Sequence, residues 1–540
     1  MIRVPMPTWT RWLLFSVALL CWYFGLILGI AGLVRWGLAH PFNDPAVGLV
    51  IGIVGVAIYL GGCALGVLAL PKYTSIAGVV LAPVFALAAI ATTSGAVAVQ
   101  RYGEMDDPAR ASSALLVGAV ICLGLAALFA LNWLAWIRQP GASATVAHVL
   151  RVAAIWWGSQ LVVQAVEGVV LSAVQVSKGV GLHGDGHDHL TLTLTYAGSA
   201  AISLAAGVAL FWHGAGALTG VPSRGYRLPA FWKPALIALG AIGAGALLLQ
   251  GDTAIWFVPA LHVLAVLLPG LSILALVTRA GQRGRPQSRS SSREIALMVA
   301  YGAALAATVA AFVNTTLLVA EFLPFLNGFS RESVNTLNDR TSLILLLVGI
   351  SVLAPLDEEF CKGFGVRLLK RHNPTRYQAF LWGLASGIGF GMVEANGYGA
   401  GAFHQSPYRW WDGVLLRGAS SSLHALASGM VGIGWFYLFR GRRGRFAGFY
   451  LLAVALHGSW NAMNLLTVAR VLPGFKRLSD HQVEIALEVG LGLIALGILA
   501  FLWTLSRSLA REDDAPPGDT MPPAPTPIAT PALPVAPASA

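Results

Sequence analysis

The chain has 540 residues, 56% of them hydrophobic and only 11% charged, and a mean hydropathy of +0.71. A soluble globular protein carries roughly 25% charged residues, so the composition excludes a soluble enzyme and predicts an integral membrane protein. The formal net charge of +11 comes from basic clusters in short loops, which is a pattern of membrane orientation and not of nucleic-acid binding.

Each long apolar run is expected to be a helix, because a helix satisfies its own backbone hydrogen bonds in lipid. The runs predict an all-α, polytopic helical bundle of about 14 transmembrane helices, each near the roughly twenty residues a bilayer needs. They fall near 13–34, 46–70, 75–99, 114–137, 152–177, 192–217, 230–250, 254–278, 295–320, 341–361, 377–396, 414–438, 446–467 and 483–506. Arg3 and Arg11 precede or enter a first run too long for a signal-peptide core, so it is expected to be retained as a span. With the N-terminus inside, the even-numbered loops are the basic ones, from Lys72 and Arg138 to Arg440, Arg442, Arg443 and Arg445. Both termini are therefore expected in the cytoplasm of a bacterial-type plasma membrane. Cys21, Cys63, Cys122 and Cys361 lie in or beside apolar runs without metal-ligand spacing, and no disulfide framework is expected.

Taken in order, the first polar residues at membrane depth are Gln160, Gln164 and Glu167, one helical stripe expected to be buried and hydrogen-bonded. The stretch His183-Gly184-Asp185-Gly186-His187-Asp188-His189 reads as an outside loop, either a polar turn or a cation-capturing segment. His213 and His262 are lone histidines in apolar runs, with packing roles. These lie in an N-terminal membrane domain, residues 1–280, of about eight helices. A basic, Ser-rich cytoplasmic linker follows at 281–294, then a second membrane domain at 295–508. The tail at 509–540 is Pro/Ala-rich and expected to be disordered.

The chemistry concentrates in the second domain. An apolar run leads into Asp357-Glu358-Glu359-Phe360-Cys361-Lys362. On a helix both carboxylates have the Lys362 ammonium within reach one turn on. Two neighbouring carboxylates do not easily both stay charged in a dry site unless that ammonium compensates. Three further segments follow: Phe390-x-x-x-Glu394; His424, with Ala, Ser and Gly downstream; and His457-x-x-Trp460-Asn461. A lone intramembrane His or Asn is ordinarily interhelical glue. Height argues for more. At about 1.5 Å per residue from the cytoplasmic turns, Glu358, Glu394, His424 and His457 lie about 23, 30, 28 and 22 Å up. Strongly polar residues at one depth on four consecutive helices read as one site.

In order and spacing these segments resemble the motifs of the PrsW family of intramembrane proteases, related to the CAAX-protease and bacteriocin-processing (Abi) group. The resemblance covers about residues 340–470 and leaves the first nine spans without a counterpart. It implies an intramembrane endopeptidase that hydrolyses membrane-protein substrates within the lipid bilayer in regulated proteolysis, for example an anchored anti-sigma factor. It implies that Glu358 activates the water and that Glu359 or Lys362 tunes it. His424 would hold the water or the oxyanion, and His457 with Asn461 would complete the oxyanion site. Glu394 stands where relatives carry a carboxylate or a histidine. Without a His-Glu-x-x-His motif, the metal-free reading comes first. In the alternative, zinc is held by His424, His457 and Glu394. A different function class also stays open: a transporter or membrane receptor whose polar layer is a binding site.

Overall fold

A computed structural model describes residues 142–219, 228–251, 255–283, 290–317, 347–369, 374–468 and 478–514, with 58 and 344 as single positions. The first four predicted spans apart from residue 58, Cys21, Cys63, Cys122, residues 284–289 of the basic linker and the tail beyond Asp514 lie outside the described residues.

All regular structure among the described residues is helical: α1 (Ala142–Ser177), α2 (Gly184–Thr219), α3 (Trp232–Gly251), α4 (Val258–Gln282), α5 (Ser292–Tyr301), α6 (Ala307–Leu317), α7 (Ala354–Leu368), α8 (Arg376–Gln405), α9 (Trp410–Phe439), α10 (Arg443–Val468) and α11 (Asp480–Asp514). Each predicted span from the fifth onward meets a helix. Six described stretches are long and apolar enough to cross a membrane: Gly184–Phe211, Trp232–Gln250, Ile255–Gln282, Ser292–Ala311, Pro407–Phe439 and Ile485–Asp514. The chain is a multi-pass membrane protein.

Local sequence explains where these helices start and stop. Ser291 and Glu294 form a reciprocal capping box at the start of α5, and Thr375 and Gln378 do the same for α8. Between α9 and α10, Gly441 takes φ +75°. The Arg442 and Gly441 amides donate to the Tyr437 and Leu438 carbonyls, a Schellman ending that only glycine enters without strain. Two π-turns interrupt the bundle. Gly302–Ala306 joins α5 to α6, and Gly349–Leu353 leads into α7. The second precedes Pro355, which has no N–H to give the Ser351 carbonyl and crowds it in a regular helix. The widened turn accommodates that.

The centre of the bundle is the α8–α9 crossing, made close by glycines. A side chain at Gly383 would meet the Ser428 carbonyl, one at Gly387 the His424 carbonyl, and one at Gly432 the Ala379 carbonyl. Small residues four apart on facing helices allow this backbone approach in membranes.

Three expectations need correction. The His/Asp-rich stretch is not a loop from Gly184 onward but the first turns of α2. His187 stacks on Phe403 with ring centroids 4.9 Å apart, and His189 Nδ1 bonds Gln175 Oε1 at 2.8 Å, so tertiary partners hold this glycine-rich segment in a helix. Gln164 and Glu167 are exposed on α1 and not buried in a hydrogen-bonded stripe; the buried face of α1 carries Leu161, Ala165 and Gly168 instead. The α11 helix runs to Asp514, six residues into the tail expected to be disordered. Its end is anchored because Glu512 pairs with Arg376 and Asp513 Oδ2 accepts the Tyr377 N–H of α8 at 2.8 Å.

His262 does more than pack. It is fully buried on α4, accepts from Trp410 Nε1 at 3.0 Å through Nδ1, and meets Asn396 Oδ1 at 3.0 Å through Nε2. The Asn396 amide continues to the Thr195 carbonyl at 3.2 Å and Ser199 Oγ at 3.1 Å. Every polar atom of the imidazole and amide is thereby satisfied, and α2 and α4 are tied to α8 and α9.

Candidate active site

The cluster is assembled by four helices. α7 contributes Glu358, Glu359 and Lys362; α8 contributes Glu394; α9 contributes His424; α10 contributes His457 and Asn461. The register of α7 is held from outside. The Asn461 amide donates to the Ile350 carbonyl inside the π-turn at 2.9 Å, Tyr301 Oη donates to the Cys361 carbonyl at 2.8 Å, and Tyr450 Oη donates to the Leu356 carbonyl.

Lys362 is completely buried. Its ammonium lies 2.7 Å from Glu359 Oε1, 3.2 Å from Glu358 Oε2 and 3.1 Å from His424 Nδ1, above the Phe390 ring at 4.1 Å. An ammonium has no acceptor capacity, so His424 Nδ1 accepts and its proton sits on Nε2. That Nε2 faces Glu394 Oε2 in an ion-pair contact of 2.7 Å. Glu359 is equally buried, and both its oxygens are engaged. Oε1 takes Lys362 and His457 Nδ1, the latter at 3.0 Å, and Oε2 takes Ser428 Oγ at 3.0 Å. A carboxylate accepts only, so His457 carries a proton on Nδ1 and turns its Nε2 to the cavity, 3.8 Å from Glu358 Oε2; in the neutral imidazole that Nε2 bears the lone pair.

The cluster opens on a cavity of about 540 Å³ lined by Glu358, Glu394, His424, His457 and Asn461, with Phe390 and Trp460 among its apolar walls. Glu359 and Lys362 stand behind this wall. Arg417, also at the cavity, lies 3.8 Å from Glu394 Oε2 and 3.3 Å above the Tyr398 ring.

The structure thus brings together all seven residues singled out in the sequence, in unequal positions. Glu358, Glu394, His424 and His457 face the cavity. Glu359 and Lys362 hold the others in place, and the Asn461 side chain reaches the cavity while its amide is spent on a backbone carbonyl. One residue at the centre was not singled out. Asn314 on α6 donates to Glu358 Oε1 at 3.0 Å. Its sequence signal was a lone amide at membrane depth, the kind set aside elsewhere as interhelical glue.

Among the described residues, the three-ligand grouping is Glu358, His424 and His457, whose ligand atoms lie within 4.8 Å of one another. The carboxylate that joins the two histidines is Glu358, not the Glu394 expected for zinc. The donor set suits a divalent cation. It is of the His₂Glu type used at catalytic zinc, and His457 has its other nitrogen oriented by a buried carboxylate, as metal-binding imidazoles usually do. Three carboxylates against Lys362 and the more distant Arg417 also leave net negative charge. His424 would yield one of its two present contacts to an ion.

An all-helical membrane bundle that turns carboxylates and imidazoles into a cavity is the form of an integral membrane enzyme. Residues 291–484 match the PrsW-protease family model, described as PrsW family intramembrane metalloprotease. That segment contains every residue of the cluster, and over it the chain is similar to the PrsW intramembrane proteases. Neither the curated proteins nor the solved structures gave a match.

Proposed function

We propose that the chain hydrolyses peptide bonds of membrane-protein substrates with a water activated at Glu358. The observation that carries this reading is the meeting of Glu358 with Nε2 of His457 and with His424 at one wall of an apolar cavity. Peptide hydrolysis needs a base for the water and positive charge where the oxyanion develops. Glu358 takes the proton of the water, and the Lys362 ammonium behind it keeps a charged carboxylate tolerable at this depth. Glu359 fixes the tautomer of His457, which turns a lone pair to the cavity. This tautomer favours metal assistance over an oxyanion-donor role for His457. With an ion bound, Glu358, His424 and His457 would hold it, and Glu358 would then serve as a ligand in place of the free base. Zinc in such a site supplies Lewis acidity and a water acidic enough to react at neutral pH. Glu394 orients His424, and Asn461 braces α7.

The substrate is proposed to be a membrane-anchored regulator of the anti-sigma-factor kind, cleaved at a bacterial-type plasma membrane by a protein with both termini in the cytoplasm. The basic α9–α10 turn, with Arg440, Arg442, Arg443 and Arg445, supports that orientation.

The test is cleavage of a library of single-span peptides in proteoliposomes. Glu358→Gln keeps size and hydrogen bonding but cannot take a proton, and the rate should fall about 10²–10⁴-fold. Chelation should abolish wild-type activity and added zinc restore it, and His457→Ala should purify with less zinc. Full activity in Glu358→Gln would refute the reading. Activity that survives chelation would remove the metal while leaving Glu358 as the base.

A further inference from the structure

Among the described residues the polar side chains within 4 Å of Glu358 are Lys362 of α7, His457 of α10 and Asn314. The last sits on α6, where Ala307, Ala311 and Asn314 line the cavity together. The spacing of four and then three puts them on one helical face, and Asn314 is the one polar residue of that face. Ala307 and Ala310 pack with Phe390, the ring beneath Lys362. The Asn314 amide reaches Glu358 Oε1 at 3.0 Å. The other oxygen, Oε2, faces Lys362 at 3.2 Å and His457 Nε2 at 3.8 Å, with no hydrogen-bond donor placed on it.

The contact follows from the backbone before it. In the π-turn, the Ala307 amide donates to the Gly302 carbonyl. Such a turn carries one residue more than an α-turn and so rotates the following face by about 100°. Gly302 lies directly against the Ser386 carbonyl of α8, which pins the turn where it occurs. Without that extra residue, Asn314 would point away from Glu358.

We infer that Asn314 is a positioning residue for the hydrolytic reaction: its amide occupies Glu358 Oε1 and so reserves Oε2 for the water and for any metal ion. A hydrogen bond to a charged acceptor is stronger than a neutral one, and it fixes a carboxylate that could otherwise rotate on a flexible stem toward Lys362 with either oxygen. Asn461, the amide expected at the site from sequence, cannot serve here because it is engaged with the Ile350 carbonyl. The inference rests on the role proposed for Glu358.

The experiment compares Asn314→Leu, Asn314→Ala and Asn314→Gln with Glu358→Gln in the same proteoliposome assay. Melting temperature in detergent and zinc affinity, measured by competition with a chelating dye, are recorded for each. The Leu and Ala variants should lose about 10–100-fold in kcat with KM within about threefold, and should bind zinc about 10–100-fold more weakly. The Gln variant keeps an amide beside a roomy cavity and should recover most of both. Asn314→Ala only removes atoms that face the cavity, so it carries the comparison if the Leu variant is unstable. Wild-type kcat in the Ala variant, or a loss confined to KM, would overturn the inference by making Asn314 a mere wall of the substrate path. If Asn314→Ala is fully active while Glu358→Gln is dead, the inference fails and the role of Glu358 stands. If Glu358→Gln is fully active, both fall.

Discussion

The α9 and α11 helices pack against each other, yet they are built on opposite terms. The eighteen-residue apolar stretch within Pro407–Phe439 has a mean hydropathy of 1.3 and 89% of its residues buried by protein, whereas that within Ile485–Asp514 reaches 2.4 with 17% buried. High hydropathy therefore marks the helix that meets lipid, and the helix that meets other helices can carry Ser420, Ser421, Ser422, His424 and Ser428. α8 and α10, which hold Glu394 and His457, are absent from the six most apolar stretches altogether. Chemistry sits where apolarity falls because protein neighbours, unlike lipid, satisfy polar groups.

That contrast can be broken at three depths. The largest effect is expected at the α8–α9 crossing. Gly387→Val places atoms against the His424 carbonyl. It should cost about 1–3 kcal/mol of stability and displace His424, so that melting temperature and peptide cleavage both fall. Wild-type behaviour would show that the buried pair is not held by backbone approach. An intermediate effect is expected at the polar junction with the N-terminal helices. Asn396→Leu leaves His262 Nε2 without its acceptor, and interhelical hydrogen bonds in membranes are worth about 0.6–2 kcal/mol. A lower melting temperature with little change in kcat should result. Complete loss of cleavage without loss of stability would mean instead that α2 and α4 take part in the reaction. The smallest effect belongs to α11. Leu493 is 65% exposed, and Leu493→Ala should alter stability by no more than about 0.5 kcal/mol. A large loss in detergent and bilayer alike would reveal a protein partner on that face.

The reach of the sequence can be traced residue by residue. Glu358, Glu394, His424 and His457 each break an apolar run, and a constant rise per residue was enough to bring them to one height. Their meeting in space was therefore readable in advance. What a helical repeat cannot reveal is an irregular turn. Asn314 went unnoticed because the π-turn before it rotates α6, and Asn461 was read as a donor to substrate because nothing in its spacing shows an open carbonyl at Ile350. The choice between Glu358 and Glu394 beside the two histidines likewise depends on how α7 and α8 are rotated. His187 and His189 were read as loop residues because glycines surround them. The aromatic and amide partners that keep them helical, Phe403 and Gln175, are distant or not recognisable as partners in the chain.

The hydrogen bonds of His262 also impose a timetable on the ribosome. Its acceptor on Asn396 lies 134 residues further along the chain, and its donor on Trp410 lies 148 residues further. At ordinary rates of synthesis this is an interval of about 7–30 s. Throughout it, α4 has left the ribosome with an imidazole whose final partners have not yet been made. Insertion of this protein is thus a problem of custody, in which an early helix must be kept from false partners until the late ones arrive.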